Sequence, residues 1–246
     1  MLAQLPEGFT ALVTGAGGGI GAAVVEAPLA SPRPGRVIAV GRHPPAFEDA
    51  RHQPLAADLT REAGRRELAD LMGESRLHLL FNTIGALHDD TLGIHPEKKL
   101  DDLDPTSLAH LFQVNAVTPA LLLQVLQPSL KGRHPALVAS LSARVGSIED
   151  NRLGGWYTYR ASKAAHNMLM KTAAVELRRL NANLTVTCLH PGTTDTRLSR
   201  PFQARVPRGK LFSPGFVAER LLSVLGQRPP GEGAGFLDWA GEPIPW

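Results

Sequence analysis

Ala11-Leu12-Val13-Thr14-Gly15-Ala16-Gly17-Gly18-Gly19-Ile20-Gly21 is the stretch whose reading decides the fold. A short apolar run of buried-strand character passes directly into a glycine-rich turn, and helical spacing is expected from about Ile20. Glycines allow backbone amides to close on a pyrophosphate at a helix N-terminus, where the helix dipole is positive. A glycine-rich run alone also describes a flexible turn. Its position between a strand and a helix selects the phosphate-binding reading.

Outward from there, residues 36–40, 77–82, 136–140 and 184–189 read as further buried strands. Helical patterns lie between them, the best over residues 108–126 and 159–180, the latter with Met168, Leu169 and Val175 spaced for one buried face. The first helix is expected to end or kink within about two turns at Pro28. The proline-rich pieces 31–35 and 207–214 read as surface loops. Strand followed by helix, repeated, implies right-handed crossovers. The expected fold is therefore α/β: a doubly wound, mostly parallel sheet of about seven strands with helices on both faces. Residues 1–246 are expected to form one dinucleotide-binding domain of this Rossmann type.

Composition narrows the classes of function. A formal charge of +3, with basic residues scattered along the chain, gives no electrostatic footprint of a nucleic-acid binder. One cysteine, Cys188, rules out an internal disulfide and points to a reducing compartment, with the cytoplasm as the default. No apolar run approaches the roughly 20 residues of a membrane span, and residues 1–8 do not resemble a secretory signal. The nine histidines form no helical pair with a nearby acid, so no metal site is expected.

The second strand ends at Gly41-Arg42-His43, where an NAD-binding protein would usually carry an acid for the ribose hydroxyls. Arg42 instead suits a charge-assisted contact to the 2′-phosphate of NADP, which makes NADP the expected cofactor over NAD. Asp58 either accepts from the adenine amino group or caps the following helix. Further along, Tyr159-Arg160-Ala161-Ser162-Lys163 sets a phenol and an ammonium four residues apart, on one face of a helix. A tyrosine ionises near 10, and a neighbouring positive charge is what lets it exchange a proton nearer neutrality.

Taken in order, Thr14-Gly15-x-x-x-Gly19-x-Gly21, Asp58, Asn82-x-x-Gly85, Asn115, a serine near 142, Tyr159-x-x-x-Lys163 and Pro191-Gly192 resemble the short-chain dehydrogenase/reductases in their single-domain branch. The segments Gly146-Ser147-Ile148 and Gly154-Gly155-Trp156-Tyr157 are similar to the C-factor-like carbonyl reductases within that family. The resemblance implies an oxidoreductase that exchanges hydride between NADPH and a small carbonyl or alcohol substrate. It implies that Tyr159 is general acid and base, that Lys163 lowers its pKa and binds the nicotinamide ribose, and that Asn115 holds a water for proton relay. Gly15, Gly19, Ile20, Gly21, Leu59, Asn82, Gly85, Pro191 and Gly192 fall at cofactor-binding positions, and Thr194 and Thr196 would contact the nicotinamide amide. Relatives commonly associate through the two long helices, which implies a homodimer or homotetramer. The alternative is a catalytically weak NADP-binding regulatory or signalling protein of the same fold.

Two departures stand out. Thr83-Ile84 replaces an asparagine and an alanine usual in the family, and a change in packing beneath the cofactor is expected. The catalytic serine commonly sits three residues before a glycine, yet three before Gly146 is Ala143. Ser142 is taken as the catalytic serine, with Ser140 and Ser147 as alternatives. Residues 197–214 carry Arg197, Arg200, Arg205, Arg208 and Lys210 and read as a basic lid or a solvated loop. Trp156 and Tyr157 belong either to the substrate pocket or to the core.

Overall fold

Along β1 (Phe9–Thr14), Leu12 enters one core while Ala11 and Val13 enter another. β2 (Pro34–Gly41) repeats this with Ile38 and Val40 on one side and Val37 and Ala39 on the other. Runs that are apolar on both faces of a period-two strand need a helix layer on each side. The computed structural model, which describes residues 2–246, has that arrangement. The elements that follow β1 are α1 (Gly19–Leu29), β2, β3 (His52–Ala56), α2 (Glu62–Met72), β4 (Leu79–Asn82), α3 (Pro105–Phe112) and α4 (Thr118–Leu130). Then come β5 (Ala136–Leu141), α5 (Tyr157–Leu180), β6 (Leu184–His190), β7 (Thr193–Thr194), β8 (Leu211–Phe212), α6 (Pro214–Gly226) and β9 (Ala234–Asp238).

Seven strands form one parallel sheet in the order β3-β2-β1-β4-β5-β6-β9, the doubly wound topology expected. Val24 and Val25 of α1 and Leu221, Leu222 and Leu225 of α6 pack on one face. Leu68 of α2, Leu122 and Leu126 of α4, and Met170, Ala174 and Leu177 of α5 pack on the other. The chain reverses its strand order between β1 and β4, so the two crossovers diverge there and leave a crevice at the carboxyl ends of the strands.

Several boundaries differ from expectation. β2 begins at Pro34, inside the first proline-rich piece, because a strand's first residue needs no ladder donor. β8 lies inside the second and pairs with β7. β3 and β9 have no bounds legible in the sequence, the first being a half-exposed edge strand containing Pro54 and the second a short run opened by Ala234 and Gly235. α1 persists for 11 residues, since Pro28 falls in its last turn and Ala30 N–H still reaches Glu26 O.

The first of the two long helices is one rod over Pro105–Leu130, with a π turn at Gln113–Val117 joining α3 to α4. By length and composition this rod is apolar enough to cross a membrane. Its Leu122, Leu126 and Leu130 are spent on the core beside the sheet. On α5 the expectation failed: Met168, Leu169 and Val175 are exposed, Met168 at 64%. The buried stripe is instead Tyr159, Ser162, Lys163, His166, Met170, Ala174 and Leu177. Its N-terminal half is polar, so apolar spacing alone selected the wrong face.

Candidate active site

Strand β1 delivers Gly15 to the crevice with φ +74°, a left-handed conformation that glycine adopts without strain. A Cβ there would stand 2.6 Å from Thr83 Oγ1, and one on Gly21 would stand 2.3 Å from Gly15 O. The turn therefore closes only with glycine at both positions. Thr83, where the family usually has asparagine, donates its hydroxyl to Thr14 O at 2.8 Å and clasps the turn from below. A Cβ on Gly19 would lie 3.1 Å from the Thr196 methyl, which brings the loop after β6 against the glycine-rich turn. Ile20 packs partly against the α1/α6 core.

The other expected cofactor positions divide by what their side chains already do. Arg42 is exposed beside the turn, and its charge, after hydrogen bonding from Thr60, helps hold the Asp58 carboxyl below the usual range. Asp58 Oδ1 accepts from Thr60 N and Oγ1 and shapes the turn into α2, but it is not the residue that caps that helix. Leu59 is a core residue, so only its backbone is available. Asn82 is committed to a ladder across three strand ends: Thr14 Oγ1 donates to its Oδ1, and its Nδ2 donates to Ser140 Oγ, both at 2.8 Å. Pro191 and Gly192 open the loop after β6, where Gly192 (φ +71°) has no room for a Cβ beside the Phe212 and Trp239 rings. Thr194 Oγ1 is buried without a partner in the protein. A cradle closed to Cβ atoms and an unsatisfied hydroxyl beside it fit a bound dinucleotide.

The candidate catalytic residues stand on α5 and on the elements facing it. Tyr159 and Lys163 are both buried, with Lys163 Nζ 6.0 Å from the centroid of the phenol ring. Nζ donates to Leu141 O at 2.9 Å. Burial pushes the Tyr159 phenol well above its ordinary value and pulls Lys163 down to about 8. A Cβ on Gly85 would lie 3.4 Å from Lys163 Nζ and 3.5 Å from Asn115 Oδ1, so Gly85 leaves both polar groups a shared face.

Asn115 sits in the π turn, fully buried. Its side chain accepts from Ala86 N and donates to Ala86 O, each at 2.8 Å, and also donates to Ser162 Oγ at 3.0 Å. His166, unforeseen in the sequence although it lies three residues after Lys163, brings Nδ1 to 3.0 Å from Asn115 O. A carbonyl only accepts, so Nδ1 carries the hydrogen, and Nε2 is left buried without a partner.

The structure gives the Ser142 hydroxyl a partner of its own. Ser142 is buried, and its hydroxyl donates to Asn167 Oδ1 at 2.6 Å. The neighbouring Ala143 packs with Tyr159 and Leu87. Ser140 belongs to the Asn82 ladder, and Ser147 Oγ accepts from Asp150 N. Gly146 fixes this register, since its Cβ would stand 2.8 Å from that of Lys163.

Around Tyr159 and Ala143 gather Val145, Trp156, Leu198 and Phe202. The Trp156 and Phe202 rings are 5.1 Å apart, and His88 meets Phe202 edge-on. Trp156 thus sits at the apolar cluster, whereas Tyr157 is exposed and belongs to neither the pocket nor the core. Within residues 197–214, Leu198 and Phe202 pack on this cluster, while Arg197, Arg200, Arg205, Arg208 and Lys210 are all exposed.

Known proteins resemble the chain along most of its length. The C-signal protein of Myxococcus xanthus is 33% identical over 147 residues, 60% of this chain and 83% of that protein. The rhamnolipids biosynthesis 3-oxoacyl-acyl-carrier-protein reductase of Pseudomonas aeruginosa is 28% identical over 242 residues, 89% of this chain and 90% of that protein. In fold, the NADPH-bound carbonyl reductase from chicken fatty liver superposes with a TM-score of 0.83 at 24% identity, over 100% of this chain and 96% of the other. Residues 9–206 match the family model for short chain dehydrogenases, and the chain belongs to that family.

Proposed function

We propose that this protein transfers hydride reversibly between NADPH and a carbonyl or alcohol whose carbon skeleton is apolar. The observation that carries the reading is the Tyr159 phenol set in an apolar cluster, with Lys163 one helical turn behind it and the glycine cradle alongside. Gly15, Gly19, Ile20 and Gly21 would hold the pyrophosphate, Arg42 the 2′-phosphate, and Asp58 and Leu59 the adenine end. Asn82 and Gly85 would floor the ribose, and Pro191, Gly192, Thr194 and Thr196 would hold the amide. Bound NADPH would supply the hydride. Tyr159 gives its hydroxyl proton to the carbonyl oxygen, and the ammonium of Lys163 stabilises the phenolate left behind. Asn115, fixed by Ala86 and Ser162, then lies beside Lys163 to help replace the proton.

With Ala143 in the serine position, Tyr159 is the side-chain donor to that oxygen, and the inward Leu198 and Phe202 favour an uncharged substrate over an anionic one, which the exposed arginines of residues 197–214 would attract. One domain, in a soluble cytoplasmic homodimer or homotetramer, is the setting we propose, in keeping with a single buried cysteine.

The test is a panel of aldehydes, ketones and quinones with NADPH and NADH in parallel. Tyr159→Phe is expected to lower the rate by about 10²–10⁴-fold with NADPH binding intact. Arg42→Ala is expected to weaken NADPH far more than NADH. A wild type inert on every compound would refute the reading. Ala143 and the likeness to a protein called C-signal favour a second reading, a weakly catalytic NADP-binding regulatory protein. That reading predicts that Tyr159→Phe leaves the biology unchanged.

A further inference from the structure

Helix α5 begins without a side-chain cap of its own. The residue before it, Trp156, is left-handed (φ 51°, ψ 44°), follows two left-handed glycines, and has no side-chain oxygen to offer the free amides of the first turn. The acceptor comes from far away in sequence. Glu97, 4% exposed in the loop between β4 and α3, accepts from Thr158 N at 3.2 Å and from Thr158 Oγ1 through its other oxygen. Its backbone carbonyl accepts from Trp156 N at 2.6 Å. The same residue therefore holds Trp156 and Thr158, and the residue after Thr158 is Tyr159. Asp102 fixes the chain just beyond Glu97 by accepting from Lys98 N and Lys99 N, so the anchor is itself anchored. On the opposite side Arg160 donates to Gly154 O and Gly155 O.

We propose that Glu97 is a positioning residue for this reaction: by capping α5 from another loop, it fixes the phenol of Tyr159 and the indole of Trp156 relative to the substrate. Nothing in the arrangement brings Glu97 to the reacting atoms. It acts through the first turn of α5, and a shift of that turn moves the proton donor while leaving the glycine cradle in place. An ångström of misplacement in a reacting group costs rate far more than affinity. The inference rests on the reading of Tyr159 as the proton donor.

The experiment compares Glu97→Ala, Glu97→Gln and Thr158→Val in the full chain, with NADPH and benzaldehyde, or the best carbonyl of the panel, as probes. Glu97→Ala is expected to lower kcat by about tenfold or more while the NADPH Kd stays within about twofold. Glu97→Gln, which keeps an acceptor, is expected to recover most of the loss, and Thr158→Val to fall between. Amide hydrogen exchange over residues 156–163 should accelerate in Glu97→Ala. In a Tyr159→Phe background, Glu97→Ala should cost nothing further, because two residues acting through one group are not additive.

The proposal is overturned if Glu97→Ala keeps kcat within about twofold of wild type, if NADPH affinity falls in parallel, or if the loss persists undiminished in the Tyr159→Phe background. Should Glu97→Ala fail to fold, Thr158→Val decides, and an unchanged kcat there rejects the role. If Tyr159→Phe alone leaves the rate untouched, the functional reading fails instead, and the exchange measurement still reports whether Glu97 holds the turn.

Discussion

Beyond the last residue of β5, Leu141, two neighbours find different partners. Ser142 turns its hydroxyl to Asn167, and Ala143 meets the ring of Tyr159. The hydroxyl is therefore one residue away from where a second donor to the carbonyl oxygen would stand. Ala143→Ser is expected to raise kcat/KM on carbonyl substrates by about tenfold, because a donor aimed at developing charge is worth more in the transition state than in the ground state. Ser142→Ala should leave kcat within about twofold and cost about 1 kcal/mol of stability, the value of a buried hydrogen bond. A collapse of activity in Ser142→Ala would show that Ser142 is the catalytic serine after all. Tyr159 and Lys163 were legible because a spacing of four places two side chains on one helical face whatever surrounds them. The serine was not, because the partner of a residue just past a strand end depends on a turn whose path is set by the contact between Gly146 and Lys163.

At the scale of elements, α5 and the rod that holds Asn115 carry both the site and exposed apolar residues. Met168, Leu169 and Val175 recur on the outer side of α5 and are exposed, as is Val117 at the start of α4. Apolar residues spaced seven apart on an outward helix face are suited to meeting a second helix. We expect a homodimer in solution, formed through these helices. Met168→Asp combined with Val175→Asp should shift it to monomer in sedimentation without lowering helix content, and a wild type that sediments as a monomer at micromolar concentration would reject the interface. These same residues explain an error in reading the sequence. Apolar spacing on α5 is real, but it marks the outer face, since the inner one is occupied by Tyr159, Ser162, Lys163 and His166. Central strands were legible from their continuous apolar runs. Edge strand β3 was not, because half-exposed residues and Pro54 resemble a loop until β2 supplies the pairing.

Across the whole molecule, burial of titratable groups sets how stability depends on pH. Desolvation lowers His166 to about 3 and His78 and His190 to about 4, and it lowers His134 as well. An unfolded histidine titrates near 6.5, so between that value and about 4 the unfolded chain binds more protons than the native one, and stability falls as the pH falls. Lys163, pulled down to about 8 from an ordinary value near 10.4, has the same sign in a higher window, adding stability as pH rises from about 8. Cys188, pushed up to about 12 by burial, and the raised Tyr159 work the other way: the unfolded chain loses these protons first, and stability declines above about 9. These windows place the maximum on the mildly alkaline side of neutrality. A tenfold change in a group's proton affinity between the folded and unfolded chain is worth about 1.4 kcal/mol, so even one buried histidine leaves a measurable slope. Calorimetric Tm should therefore climb steadily from pH 4 to 6.5, most of that range lying above the ordinary carboxylate values near 4. His166→Leu should flatten that climb, at the cost of leaving Asn115 O without its donor. A Tm independent of pH between 4 and 6.5, or a slope unchanged in His166→Leu, would mean that these rings are protonated in the folded protein and that water reaches the interior of α5.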